Sequence, residues 1–368
     1  MRIALLAHPR HPIRSPFMGG MEAHAWNLAK GLIARGHDVT LFASGDSDPG
    51  LPIHAVLPVH YERDWPAGDW HGTDGLNAFT DSLWAAAIPA IRDGGFDVVH
   101  NNTVHRFPPR LSCRERLPMV TSLHVPPFET LRRAVHDSVA PWHIVTTTSA
   151  QQRGRWWTSP PATARVVPNG IDPSRWPFAP EGDGTAVWAG RIHPNKGAGL
   201  AAAAARAAGI PLTIYGTIED PGHFETDVAP HLGCGVTYGG HLGGPDLARA
   251  LGAASVLLFT PMWDEPFGLA AIEGMACGLP VAAFRNGAVE EVVGPCGTYA
   301  EPGDVAGLAS ALREAMTFDR AASRRRVESL FTLDRMIDAF EDLYVEAAAA
   351  SAADWPEARY TPRELAAG

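Results

Sequence analysis

Residues 264–280 read DEPFGLAAIEGMACGLP. The apolar runs 255–260 and 281–284 on either side have strand character, and 269–276 between them has helix-forming composition. Strand, helix, strand in this order is the building unit of a parallel, doubly wound sheet. Glu265 sits just ahead of the helix and Glu273 two turns along it. In a continuous helix the two would stand about 12 Å apart at ~1.5 Å per residue. That is a poor match to the ~5–9.5 Å of a glycosidase acid–base pair. The two carboxylates therefore read as separate acceptors, each suited to vicinal hydroxyls such as those of a ribose or a hexose. The alternative is a pair of surface glutamates, but the apolar, Gly-rich setting is one where glutamate is seldom placed without a partner.

The same rhythm extends outward in both directions. In the first half, 2–7, 38–43, 97–100, 119–124 and 144–148 read as buried strands, and 21–35 as a helix closed by Gly36. Residues 169–184, NGIDPSRWPFAPEGDG, have the Pro, Gly and Asp content of a linker. Strands at 185–190 and 211–216 and an Ala-rich helix at 199–208 then restart the pattern, and 333–350 is a long closing helix followed by the tail 351–368. Continuous apolar strands separated by helices imply parallel sheets covered on both faces. The expected architecture is two doubly wound α/β domains, with ligands at the carboxyl ends of the strands and a cleft between the domains.

Composition fits this picture. The 368 residues are 46% hydrophobic and 19% charged, with a net charge of −10. An acidic chain lacks the basic footprint of a nucleic-acid or anionic-membrane binder. Four dispersed cysteines form no CxxC pair, so neither a zinc site nor a disulfide framework is expected, and a reducing cytoplasm is the simpler setting. The start, MRIALLAHPR, reads as a first strand rather than a signal peptide, and no window suggests a membrane span.

Three further groups carry chemistry. Gly19-Gly20 follows the first strand and opens a helix, an arrangement that serves as a phosphate cradle or as a plain flexible loop. Neither GxGxxG nor GxxxxGK[ST] occurs, which counts against nicotinamide, flavin and P-loop sites. In AGRIHPNKG (189–197), Arg191 and Lys196 follow a buried strand, where a guanidinium fork and an ammonium suit a diphosphate. His100 and His124 each close an apolar strand, the position of active-site residues in this architecture, although either also fits a structural role; His8, His11 and His24 have no assignable place. Trp26, Trp65, Trp70 and Trp84 are core residues or a stacking surface for an acceptor, and DWHGTD (69–74) reads as a solvated loop rather than a metal site.

Together MGGME, DVVH, SLHVPP, VPNGID, AGRIHPNKG, EPFGLAAIEGMACGLPV and NGAVEEVV resemble the family 4 retaining glycosyltransferases of the GT-B fold, over residues 1 to about 345. The resemblance implies an acceptor-binding Rossmann-like domain at 1–170, with the helix at 334–368 packed back on it, and a nucleotide-sugar-binding domain at 171–333. It implies that Gly19, Gly20, Arg191 and Lys196 contact the donor diphosphate and that Glu273 holds the ribose. Glu265 with Phe267, Gly268 and Leu269 would hold the sugar. His124 would stand beside the transferred sugar, Asn169 in the cleft, and Tyr215, Gly216, His241 and Leu242 against the base. One departure is visible: the proline that usually precedes the glutamate of the GG-x-P-E stretch is replaced in NGAVEE, which carries Glu290 there.

The activity so implied is transfer of a hexose from a UDP- or GDP-sugar to a small-molecule, glycan or lipid-linked acceptor. Arg and Lys supply the countercharge in place of a metal, and no cofactor is expected. No well-placed nucleophile is evident in the motifs of the N-terminal domain, and the resemblance implies a same-face substitution, with the leaving phosphate oxygen taking the acceptor's proton. A nucleotide-sugar epimerase, a synthase acting on a small phosphorylated or heteroatom acceptor, and a non-catalytic nucleotide-sugar binder are the competing readings. The sequence names neither base, sugar, acceptor nor oligomeric state.

Overall fold

A computed structural model describes residues 1–354. The tail beyond 354, including the end of the expected 334–368 helix, lies outside the described residues. Contacts divide the chain into two compact units. Met1–Phe17, Met21–Pro168 and the segment from Met336 form the first, and Met18–Gly20 with Asn169–Arg335 the second.

The first unit is built on seven parallel strands: β1 (Arg2–Ala7), β2 (Asp38–Ser44), β3 (Ile53–Leu57), β4 (Val98–Asn102), β5 (Met119–Leu123), β6 (His143–Thr147) and β7 (Ala164–Val166). Their spatial order is β3-β2-β1-β4-β5-β6-β7. β4, β5 and β6 are buried along their whole length, as strands covered on both faces must be. Helix α1 (Gly20–Ala34) buries Ala25, Leu28, Ala29 and Leu32, residues spaced at three and four along one face, and Gly36 beyond it has φ +85°. Helix α2 (Asp74–Asp93) opens on Thr73, whose hydroxyl caps Leu76 N, and buries Leu83, Trp84, Ile88 and Ile91. Trp84 is thus core, whereas Trp65 lies stacked on Phe79 and Trp70 is exposed.

The second unit has six parallel strands: β8 (Ala186–Ala189), β9 (Leu212–Tyr215), β10 (Val236–Tyr238), β11 (Val256–Phe259), β12 (Val281–Phe284) and β13 (Gly297–Ala300), in the order β10-β9-β8-β11-β12-β13. Alternate residues of its central strands feed two cores. Leu257, Phe259, Val281 and Ala283 pack with Ile272 and Met275 of one helix. Val256, Leu258, Ala282 and Phe284 pack with Ala201 and Ala205 of another. The second of these helices, α3 (Ala198–Ala208), is Ala-rich, so it lies close on the sheet, and it runs between Gly197 and Gly209, both left-handed. The first is α4 (Leu269–Ala276), the helix of the opening stretch. Two helices complete the described chain, α5 (Arg320–Leu330) and α6 (Leu333–Ala352); from Met336 onward α6 belongs to the first unit. There Glu341 accepts from Arg35 Nη1 and pairs with His37 Nε2, both at 2.7 Å.

Candidate active site

The strand order of the second unit reverses between β8 and β11, and the chain leaves the carboxyl ends of those two strands in opposite directions. Such a switch point is where doubly wound sheets bind ligands. Lys196, in the loop after β8, donates from Nζ to Glu265 Oε2, in the loop after β11, at 2.6 Å. Trp263 Nε1 donates to the same oxygen at 2.7 Å, and the ammonium lies 4.8 Å from the Trp263 ring centroid. The ion pair therefore spans the switch point. Arg191 pairs with Glu219, which follows β9. Each of the two cations singled out by sequence thus meets a carboxylate.

The Lys196 loop is pinned from beneath. Thr260, fully buried, donates to the carbonyls of Lys196 and Gly197 at 2.9 and 3.0 Å, and itself accepts from Trp188 Nε1 at 3.0 Å. Met262 N donates to Asn195 O at 2.8 Å. Glu265 is only 6% exposed, and its carbonyl accepts Ala288 N at 2.8 Å. That contact depends on Gly287. Its φ is +61°, and a Cβ there would stand 2.3 Å from the Glu265 backbone. NGAVEE therefore braces Glu265 even without the family's usual proline. Gly268, left-handed at φ +95°, turns the chain from Glu265 into α4. The helix begins at Leu269, two residues later than a start at Phe267.

Glu273 points from α4 in a partly buried position, and among the described residues no side-chain hydrogen bond or ion pair holds its carboxylate. Burial pushes its carboxyl up to about 7, with Arg175 opposing the shift. Asn169 is buried, and among the described residues its Oδ1 has no hydrogen-bond partner. The segments expected at the base are adjacent. Gly216 N donates to Gly240 O at 2.9 Å, Tyr238 O–H donates to Gly216 O at 2.8 Å, and Thr217 Oγ1 meets His241 Nδ1 at 2.8 Å. Tyr215 and Leu242 are half-buried and His241 exposed. Gly19 and Gly20 group with the second unit, where a Cβ on Gly20 would stand 2.9 Å from Leu269 Cδ1.

In the first unit, His124 Nε2–H donates to Asn102 Oδ1 at 3.1 Å, and burial lowers its pKa to about 4. The ring of His24 lies 4.3 Å from that of His124, so His24 has a place after all. His100 is fully buried and held neutral, its pKa lowered to about 3 chiefly by burial and secondarily by His124. Sequence reasoning missed Asn102, Glu219, Trp263 and Thr260. Asn102 carried a signal, since it ends the DVVHNN run on the same strand face as His100. Glu219, 28 residues from Arg191, carried none, and nothing marked the pairing of Lys196 with Glu265, 69 residues away.

Comparison with known proteins bears on the fold and the class. The Glycosyltransferase Family 4 pattern matches residues 18–175 and the Glycosyl transferases group 1 pattern residues 183–317. Glycogen synthase of Mycobacterium tuberculosis is 29% identical over 371 residues, covering 88% of each chain. D-inositol 3-phosphate glycosyltransferase of Mycobacterium avium is 28% identical over 359 residues, covering 84% of each. HepE of Anabaena, solved in complex with UDP-glucose, superposes with a TM-score of 0.72 at 16% identity, covering 93% of this chain and 98% of its own. The fold is that of the GT-B glycosyltransferases. Within that class the chain belongs to the family 4, group 1 glycosyltransferases.

Proposed function

We propose that the protein is a retaining, metal-independent glycosyltransferase that moves a hexose from a UDP- or GDP-sugar to an acceptor hydroxyl. The observation that carries this reading is the Lys196–Glu265 pair across the switch point, ahead of the α4 N-terminus. The second unit takes the donor. Lys196 and Arg191 bind the diphosphate, with Arg191 exchanging Glu219 for phosphate oxygens, and the α4 N-terminus favours the same negative charge. Glu265 accepts from the sugar hydroxyls, and Glu273, whose carboxylate no hydrogen bond or ion pair holds among the described residues, from the ribose. Tyr215, Gly216, His241 and Leu242 line the base. As the bond from the anomeric carbon to phosphate oxygen breaks, charge grows on the diphosphate, and each preorganised cation is worth about 3–4 kcal/mol there. The acceptor oxygen bonds to the anomeric carbon on the face being vacated, and its proton passes to the departing phosphate oxygen. HepE's complex with UDP-glucose makes UDP-glucose the first donor to try. The resemblance to an inositol 3-phosphate glycosyltransferase makes a small phosphorylated acceptor the second reading. Four free cysteines and a soluble donor suit the cytoplasm. Among the described residues no helix is long and apolar enough to cross a membrane. The test is chromatographic detection of nucleoside diphosphate release with candidate acceptors, followed by the anomeric coupling constant of the product. Release with inversion would contradict the mechanism.

Two expected outcomes arise here. Nucleotide affinity should rise with pH through about 7, because only ionised Glu273 accepts both ribose hydroxyls well. At pH 6 roughly a tenth of the carboxyl is ionised, so affinity measured calorimetrically should improve several-fold by pH 8, and Glu273→Gln should flatten the profile. The linked stability runs the other way. A carboxyl whose folded pKa is raised favours the fold below the unfolded value and loses that contribution as pH rises through about 7. His124→Ala should lower kcat by about 10- to 100-fold while leaving donor affinity intact, since its role lies beside the reacting sugar.

A further inference from the structure

The face of the first sheet below His124 carries a second, deeper polar rung. His100 and Asn102 stand two residues apart on β4, and Ser122 and His124 two residues apart along β5 and its exit. Two-residue spacing puts each pair on one face. The upper rung is His124 Nε2–H to Asn102 Oδ1 at 3.1 Å, and the lower is His100 Nε2 to Ser122 Oγ at 2.9 Å. The lower rung continues on both sides. His100 Nδ1 meets Tyr344 Oη at 2.5 Å, and Ser122 Oγ meets Thr146 Oγ1 on β6 at 2.9 Å. Tyr344, His100, Ser122 and Thr146 are all buried.

The directions of these bonds follow from chemistry. Tyr344 is fully buried, and among the described residues His100 Nδ1 is the one hydrogen-bond partner of its Oη, so the phenol proton, which burial retains, has no other acceptor. Tyr344 O–H therefore donates to Nδ1, His100 Nε2–H donates to Ser122 Oγ, and Ser122 O–H is left for Thr146. A single phenol on α6 thus fixes the imidazole tautomer and the polarity of a chain crossing three strands. Phe340, one turn earlier on α6, packs its ring 4.6 Å from His100 and 6.1 Å from His24, and His24 covers His124. Desolvating a phenol, an imidazole and two hydroxyls costs more than an apolar layer would, and a phenylalanine would fill Tyr344's place on packing grounds.

We propose that Tyr344, acting through His100 and Ser122, is a positioning residue that holds the β4–β5 ladder in register and so fixes the orientation of His124 for transfer. This rests on the reading that His124 serves the reaction. The experiment compares the full-length protein with Tyr344→Phe, which keeps the ring packing and removes only the donor. Transfer kinetics, thermal melting and side-chain histidine 1H–15N correlation spectra are recorded on both. The expected result is a roughly 10-fold fall in kcat, the scale of one lost positioning hydrogen bond, with donor KM unchanged and the melting temperature lowered by a few degrees, because His100 Nδ1 is left buried without its donor. The spectra should show His100 as the Nε2–H tautomer in the wild type and shifted His124 signals in the variant. An unchanged kcat, or a fall in kcat with the His124 signals unmoved, would overturn the proposal. Should the wild type transfer no sugar, the functional reading fails, and the spectra alone decide this one: displaced His124 signals support the ladder, and unmoved ones refute it. Ser122→Ala, which breaks the same chain one link further on, is expected to reproduce the effect.

Discussion

Replacing Lys196 by alanine should reduce transfer by about 10²–10³-fold and weaken nucleoside diphosphate binding by an order of magnitude or more, because in the proposed reaction the ammonium faces charge that grows as the donor bond breaks. A second consequence separates this site from a surface cation. Glu265, 6% exposed, would keep, among the described residues, only the Trp263 N–H on its Oε2. Removing one partner of a buried pair costs about 3–5 kcal/mol, since the remaining charge is uncompensated. The melting temperature should therefore fall together with activity. Adding Glu265→Gln should restore much of the stability by removing that charge, yet leave binding and turnover low. A double-mutant cycle on melting and on nucleotide affinity measures the two couplings separately. Stability unchanged in Lys196→Ala would mean that the pair contributes no more than an exposed one.

The largest purely structural effect is expected at Arg320. At the start of α5 its guanidinium donates to the carbonyls of Ala179, Gly252, Ala254, Ser255 and Cys277, at 2.8 to 3.4 Å. These carbonyls belong to the linker, to the last turn of the helix preceding β11 and the two residues that join it to β11, and to the residue that ends α4. One side chain thus satisfies acceptors that the helix ends leave open and ties three segments of the second unit together. Charge-assisted bonds contribute about 1.5–3 kcal/mol each in isolation, but they share one side chain and partial solvation. A loss of about 3–4 kcal/mol for Arg320→Ala is expected, which for a unit of this size corresponds to roughly 6–15 °C in melting temperature. Arg320→Lys should recover little, because an ammonium cannot reproduce the planar fork. Thermal denaturation monitored by circular dichroism gives the result directly. A shift of only a degree or two would show that water replaces the guanidinium without cost.

What could be read from the chain follows a physical divide. β1, α4 and β12 lie where apolar continuity and breaker residues place them, because a strand buried on both faces must be apolar throughout and Gly or Pro must end it. Helix α2 drew no expectation. Its apolar residues are diluted by Asp, Asn and Thr, and Pro89 lies inside it, so only the Thr73 cap marked its start. β7, β10 and β13, three or four residues each, are too short to show any period. At the site, Glu265, Arg191 and Lys196 were visible as residue types at strand ends, but their pairing was not, because the fold brings Glu265 to Lys196 from 69 residues away. The ladder beneath His124 was similarly hidden. Tyr344 lies 244 residues from His100, and only the return of α6 to the first unit joins them.

The central claim is that the second unit holds a nucleoside diphosphate through Lys196 and Glu273. Isothermal titration of UDP and of GDP into the wild type, Lys196→Ala and Glu273→Ala, each checked for folding by circular dichroism, tests it most directly. The account predicts micromolar binding of one nucleotide by the wild type and at least tenfold weaker binding by both variants, on the scale of one lost charge-assisted contact. Absence of binding by either nucleotide, or equal affinity in all three proteins, would contradict it.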